Sequence, residues 1–414
     1  MPIDLVIRNA RQLLSMAGPK RARSGSEQAQ VGLIEDGAVA VSEASIVAVG
    51  HTEAILRLPG VSRHTEEIDA RGRVVTPGLV DSHTHLVFGG NRVDEFEMRT
   101  GGATYQQIMA SGGGIYSTVR ATRRAGLQEL KDSAAVHLRE MLANGTTTAE
   151  AKSGYGLDLE TERKQLEAVR ELDSVQAVEL VPTFLGAHAV PEGSGAKEYV
   201  ELLCAHIIPE IGARKAARFC DVFCEPGVFS VEESEQILRA GLANGLQPKV
   251  HADELSNSAG ACLAARVGAT SADHLHCVDE YGLQAMARAD TIGTLLPGTA
   301  LFLGLSHHAP ARRMVQAGVP IALATDFNPG SCFCRSMPLM ISLGCTQLGL
   351  TPAEALVAST INGAYAVDLG DRTGSLEPGK QADLVIWQVD DYRAIAYEMG
   401  ARLVETAVKR GKRV

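Results

Sequence analysis

Between Leu79 and Asp326 the chain repeats one pattern eight times. Short apolar runs near 79–85, 146–152, 177–185, 219–225, 247–251, 270–274, 291–296 and 320–326 are separated by longer stretches, several of them helical, for example 127–144, 160–172, 231–243, 258–267 and 309–316. Short apolar runs bounded by turns read as buried strands, and strands alternating with helices pair in parallel. Eight such units predict a TIM-like (β/α)8 barrel. A doubly wound open sheet, the other way to arrange them, would want a Gly-rich fingerprint after its first strand, and none follows 79–85.

The two ends of the chain read as β. Strand patterns cover 3–14, 37–41, 45–50, 67–70 and 73–76 on one side of the repeat, and 382–387 and 404–409 on the other. The economical arrangement is an α/β chain in which both termini form a small β-sandwich domain, 1–75 with 375–414, around an inserted barrel, 76–374. The polar 17–30 segment, with Lys20, Arg21 and Arg23 among Gly and Ser, reads as a solvated loop.

Composition excludes several classes. The 414 residues carry a formal net charge of −10 and no basic block that could track phosphates, which argues against a nucleic-acid partner. No apolar run reaches the roughly 18 residues a membrane span needs, and the first residues read as a strand rather than a signal peptide, so a cytoplasmic protein with no membrane partner is expected. The eight cysteines form no paired CxxC array and read as reduced packing thiols.

In a (β/α)8 barrel the chemistry sits at the C-terminal strand ends. The first strand ends in His83-Thr84-His85, two imidazoles on the same side of an extended backbone. The third ends in His188, the fifth in His251-Ala252-Asp253-Glu254, the sixth in Asp273-His274 and the eighth in Asp326. His83, His85, His251 and Asp326 together suit one Zn²⁺ or Fe (Fe³⁺) ion per chain, with a position left for water whose pKa the ion would lower. Glu254, three residues beyond His251, is placed to move protons between that water and a leaving nitrogen. His274 can hydrogen-bond the nucleophile or a substrate carbonyl, and Asp326 shares in preparing the nucleophile. The bland readings are a helix-start carboxylate for Glu254 and a satisfied core histidine for His274.

Pro-Gly-Leu-Val-Asp-Ser-His-Thr-His at 77–85, the His-x-x-Glu at 251–254, His274 and Asp326 resemble the amidohydrolase superfamily, in its mononuclear branch. The fourth strand ends in Cys224-Glu225-Pro226, where the binuclear branch usually has a bridging Lys; Lys152 stands at the second strand, so one metal is implied. More closely, 81–92, 150–157, 184–188, 325–331 and the 104–108 and 112–115 strings resemble the imidazolonepropionase family. That resemblance implies hydrolysis of the cyclic amide C–N bond of 4-imidazolone-5-propanoate to N-formimino-L-glutamate, in histidine degradation. A small-molecule substrate and a homodimer are implied with it. Arg92 suits the substrate's propionate as a forked cation. Tyr155, His188, Glu254 and the Asn328-Pro329-Gly330-Ser331 turn would complete the substrate site.

Two rivals remain. A mononuclear-metal deaminase of a nucleobase-like ring would share the metal site but has no need of an anion clamp, so Arg92 discriminates. A decayed barrel serving as a binding protein would not keep four ligands and Glu254, and its metal content would fall far below one equivalent.

Overall fold

The structure, a computed structural model, describes residues 2–104, 107, 108 and 111–414. Tyr105 and Gln106, part of one of the family-like strings, lie outside the described residues.

The N-terminal segment forms β1 (Leu5–Leu14), β2 (Leu33–Ser42), β3 (Ser45–His51), β4 (Glu66–Asp69) and β5 (Val74–Pro77). Eight parallel strands follow: β6 (Leu79–Asp81), β7 (Thr146–Lys152), β8 (Glu179–Ala187), β9 (Phe219–Cys224), β10 (Gln247–Ala252), β11 (Ser271–His274), β12 (Ile292–Leu295) and β13 (Ile321–Leu323). The chain closes with β14 (Leu384–Trp387), β15 (Val404–Lys409) and β16 (Lys412–Arg413).

β6 to β13 are neighbours in strict sequence order, as eight consecutive βα units require. The sheet closes beyond its regular strands. Thr84 bridges Phe327 in parallel, His85 N–H donates to Phe327 O at 2.9 Å, and Asp326 N–H donates to His83 O at 3.0 Å. The backbone that joins the first and eighth strands is thus the backbone that carries His83, His85 and Asp326. β6 and β13 are shorter than their apolar runs suggest.

Strands from both termini share one sheet, ordered β16-β15-β14-β5-β1-β2-β3 with β4 beside β1. Leu5, Ile7, Val39 and Val41 pack with Val75, Leu384, Ile386 and Val408 in one apolar core, so the two ends of the chain are buried against each other. Gly78 hands β5 over to β6 where a methyl group would run into the Thr147 side chain. Trp387, fully buried, donates its indole N–H to Thr76 Oγ1 at 2.9 Å, which satisfies its one polar atom.

The 17–30 segment departs from the solvated loop expected of it. Lys20 is exposed and Arg21 pairs with Glu27 near the surface, but Arg23 and Gln28 are buried. Arg23 N–H donates to Asn362 Oδ1 at 2.7 Å, and its guanidinium donates to the carbonyls of Met16 and Gln30. Gln28 Oε1 accepts from Ile321 N–H at 3.2 Å, at the start of β13. Backbone carbonyls supply the acceptors that let this guanidinium leave water.

Among the described residues, no helix is long and apolar enough to cross a membrane, and all eight cysteines are free thiols.

Candidate metal centre and active site

Four imidazoles converge at the C-terminal mouth of the barrel. Ring centroids are 4.6 Å apart for His83 and His251, 5.3 Å for His83 and His85, 5.4 Å for His83 and His274, and 5.2 Å for His251 and His274. Asp326 Oδ1 lies 3.5 Å from His83 Nε2 and 3.6 Å from His85 Nε2. One donor atom each from His83, His85 and His251 fall within 4.8 Å of one another, and so do atoms from His83, His274 and Asp326.

Among the described residues, His83 Nε2 and His251 Nε2 are buried and find no hydrogen-bond partner. Buried polar atoms are rarely left so, and imidazole nitrogens facing a carboxylate oxygen are what a cation needs. The residues fit a metal. Burial pushes the imidazoles of His83, His85 and His274 well below the usual histidine range, which keeps them neutral and able to act as ligands.

The site residues are oriented from behind. His83 Nδ1 is hydrogen-bonded to Asp273 Oδ2 at 2.6 Å, and His251 Nδ1 lies 3.0 Å from Asp221 Oδ2. Thr299 donates to Asp326 Oδ2 at 2.6 Å and Ser331 donates to the same oxygen at 3.3 Å, so Oδ1 is the oxygen left to face the histidines. Asp326 and His274 hold φ of 52° and 77°, the left-handed region that side chains other than glycine seldom occupy. Such strain collects where the surroundings force a functional geometry.

Glu254 Oε1 stands 3.5 Å from His274 Nδ1. Burial first, then the Asp326 carboxylate, push the Glu254 carboxyl up to about 8. Burial also raises Asp326, to about 6, against its bond from Thr299. The loop that carries Glu254 is pinned at its base: Leu255 N–H donates to Glu225 Oε2 at 3.3 Å, and Ser256 Oγ donates to Glu225 Oε1. The helix dipole does not account for Glu254, because the next helix starts only at Gly260.

These groups open into a cavity of about 530 Å³ that also exposes Arg92, Arg99, Tyr155, His188, Asn328, Gly330 and Ser331. Arg92 is half-buried, and its Nε donates to Thr118 Oγ1 at 2.8 Å, which among the described residues leaves the guanidinium's terminal nitrogens for a ligand. Its guanidinium lies where a side chain at Gly330 would begin, so a larger residue there would displace it. His188 stacks on His85, centroids 5.0 Å apart and planes 18° off parallel, and its Nδ1 is 3.1 Å from Gly154 O. With the ring proton donated to that carbonyl, Nε2 is an acceptor. Tyr155 sits 5.3 Å from His188, ring to ring. Asn328 spends its amide on the turn, donating to Asp326 O and Ser331 Oγ at 2.7 Å each and accepting from Gly330 and Ser331 N–H at 2.8 Å each.

The structure therefore brings every sequence-predicted site residue except His83 to the lining of one cavity, and His83 packs against three of those lining histidines, His85, His251 and His274. Reading strand ends alone misses Thr299, Arg99, Asp221, Asp273 as an orienting group, and Glu225. For Asp221 a signal exists: it is an acid inside the apolar strand Phe-Cys-Asp-Val-Phe-Cys.

A sequence profile of the amidohydrolase family matches residues 74–414. The imidazolonepropionase of Geobacillus kaustophilus is 50% identical over 412 residues, covering 99% of this chain and 97% of that protein. That of Chloroflexus aggregans is 48% identical over 422 residues, covering 99% and 98%. The chain belongs to the imidazolonepropionase family of amidohydrolases. It is a hydrolase, and its histidines and Asp326 form clusters that could hold a metal ion. The same fold recurs in far more distant structures. A zinc-bound adenosine deaminase from Xanthomonas campestris superposes with a TM-score of 0.73 at 20% identity, covering 100% of this chain and 93% of that one. The guanine deaminase of E. coli superposes at 0.74 with 16% identity, covering 100% and 99%. At such identities the likeness to the deaminases is one of fold, whereas the likeness to imidazolonepropionases runs through the whole sequence.

Proposed function

We propose that this chain opens the ring of 4-imidazolone-5-propanoate by hydrolysing its cyclic amide C–N bond, giving N-formimino-L-glutamate in histidine degradation. The observation that carries the reading is a cavity that holds a cluster of imidazole nitrogens unpartnered among the described residues and, on its wall, the cation Arg92, whose Nε is held by Thr118. A small ring with an anionic tail needs both.

His83, His85, His251 and Asp326 would hold one Zn²⁺ or Fe³⁺ ion. Such an ion, when bound, would supply an acidified water and polarise the ring carbonyl. Arg92 binds the propionate through paired N–H donors. Tyr155 and the Nε2 of His188 orient the ring from the His85 side. Glu254, raised toward neutrality, accepts a proton from the attacking water and returns it to the ring nitrogen as the C–N bond breaks. His274, neutral, donates a hydrogen bond to the carbonyl oxygen as charge builds there. The reading further takes 1–75 with 375–414 as one folding unit and 76–374 as the other, and two chains as the working assembly.

Adding imidazolone propanoate to purified protein should bleach the ring absorbance, and a strong chelator should abolish the change. Ammonia release from a nucleobase, with no reaction of the imidazolone, would replace this reading by the deaminase. Sedimentation of the purified chain tests the dimer.

A further inference from the structure

Beneath the histidines, the barrel interior holds a layer of charge with no access to water. Glu150, Lys152, Asp221, Lys249 and Asp273 have fully buried side chains. Two ammoniums among three carboxylates, far inside a barrel, are costly to assemble and gain little over apolar packing. Their arrangement is specific, however.

The Lys152 ammonium lies 2.6 Å from Asp221 Oδ2 and 3.6 Å from Asp273 Oδ2. Those two oxygens are the ones that face His251 Nδ1 and His83 Nδ1. The second oxygen of each carboxylate is occupied elsewhere: Asp221 Oδ1 accepts from Val222 N–H at 2.8 Å and Asp273 Oδ1 accepts from Ser271 Oγ at 2.6 Å. Neither carboxylate can rotate without losing a bond. Lys249, equally buried, is tied differently. It reaches Glu150 Oε1 at 2.9 Å and Ser82 O at 3.1 Å, is 3.9 Å from Asp273, and makes no ion pair with Asp221.

We infer that Lys152 is a positioning residue: one ammonium holds the two carboxylates that fix the rings of His83 and His251, and so sets the spacing of two metal-binding imidazoles. Groups that orient a metal ligand are commonly worth about 10–100-fold in metal affinity. Here one side chain would orient two ligands at once, from strands that are not neighbours in the barrel. The inference rests on the metal reading proposed above.

The test compares Lys152→Met with Lys249→Met, both of which remove a fully buried ammonium. Metal-free protein is titrated with Zn²⁺ against a chromophoric chelator, and the visible spectrum of the Co²⁺-loaded protein is recorded. Lys152→Met should weaken Zn²⁺ binding about 10–100-fold and shift the Co²⁺ bands. Lys249→Met should lower the melting temperature as much but stay within about threefold of the parent in Zn²⁺ affinity, with the Co²⁺ bands unmoved. Equal Zn²⁺ affinity in the two variants would overturn the inference. Should Lys152→Met fail to fold, Asp221→Asn, Asp273→Asn and their double variant serve. Because the two carboxylates share one ammonium, the double variant should lose less affinity than the product of the single losses, and independent losses would overturn the tie. A parent chain that takes up no Zn²⁺ would overturn the metal reading itself and this inference with it.

Discussion

Thr299 holds Asp326 by one oxygen only. Its hydroxyl donates to Oδ2 at 2.6 Å from the first turn of the helix Pro297–Leu303, and Oδ1 is left to face His83 and His85. A carboxylate free to turn would offer either oxygen, at an entropic cost on binding. Thr299→Val keeps the shape and removes the donor. Zn²⁺ affinity should fall by roughly tenfold, the low end for a group that orients a ligand, since Ser331 still reaches the same oxygen. Stability should fall by about 1 kcal/mol for the weakened buried oxygen. Chelator competition and thermal unfolding read the two effects separately. Unchanged Zn²⁺ affinity would show that Thr299 serves only its helix.

Arg92 should determine substrate binding without touching the metal. Removing one partner of a charge-assisted pair costs about 2–5 kcal/mol, and Arg92 is only half-buried, so the low end applies. Arg92→Met is expected to raise KM roughly thirtyfold with the metal content unchanged. Gly330→Ala should move KM the same way, because its methyl group would stand where the guanidinium now lies. A normal KM in both variants would leave the propionate to Arg99, whose guanidinium shares the cavity and is tied to Gly330 O at 3.3 Å.

What the sequence discloses is what repeats locally. Eight buried strands read as apolar runs because both of their faces are covered, and His83 and His85 read as a pair because extended backbone alternates. Residues whose role depends on a neighbour distant in the chain are hidden. Asp273 orients His83 across 190 positions of sequence. Arg23 reads as a surface cation because nothing local shows that Met16 O and Gln30 O will surround its guanidinium. Asn328 reads as part of the substrate site, and nothing local shows that its amide also bonds Asp326 O, Ser331 Oγ and the Gly330 and Ser331 N–H groups of its own turn.

Acid stability should report on the join between barrel and terminal sheet. Glu179, the first residue of β8, meets Lys409 at 3.1 Å and Arg372 at 3.0 Å, and Lys409 also meets Asp383 at 2.8 Å. Burial alone would raise the Glu179 carboxyl, but Lys409, Gln381 and Arg372 hold it down at about 2. A carboxyl whose pKa is depressed in the folded chain contributes stability that is complete above its unfolded value, about 4.3, and is lost as pH falls through the folded value. Melting temperature should therefore drop between about pH 4.5 and pH 2. Glu179→Gln should be less stable at neutral pH and show a shallower acid limb. A parallel acid limb in the variant would place the acid-labile pairs elsewhere.

Glu254 should separate chemistry from binding. The leaving ring nitrogen needs a proton, and the attacking water must lose one. Asp326 has its two oxygens facing Thr299 on one side and the histidines on the other, so it has no free geometry for the transfer. His274 is held well below its usual range by burial, so it is a poor proton carrier near neutrality. Glu254 lines the same cavity, and burial with the Asp326 charge raises its carboxyl to about 8, where both protonation states are within reach at neutral pH. Glu254→Gln keeps the shape and removes the titrating group. It should retain metal and bind substrate with a near-normal dissociation constant, while kcat falls by about 10²–10⁴, the usual worth of general acid–base work. The limb of the kcat–pH profile that belongs to Glu254 should vanish with it. Metal-loaded Glu254→Gln with kcat within a few-fold of the parent would move the proton to another group, and His274, 3.5 Å away, would be tested next.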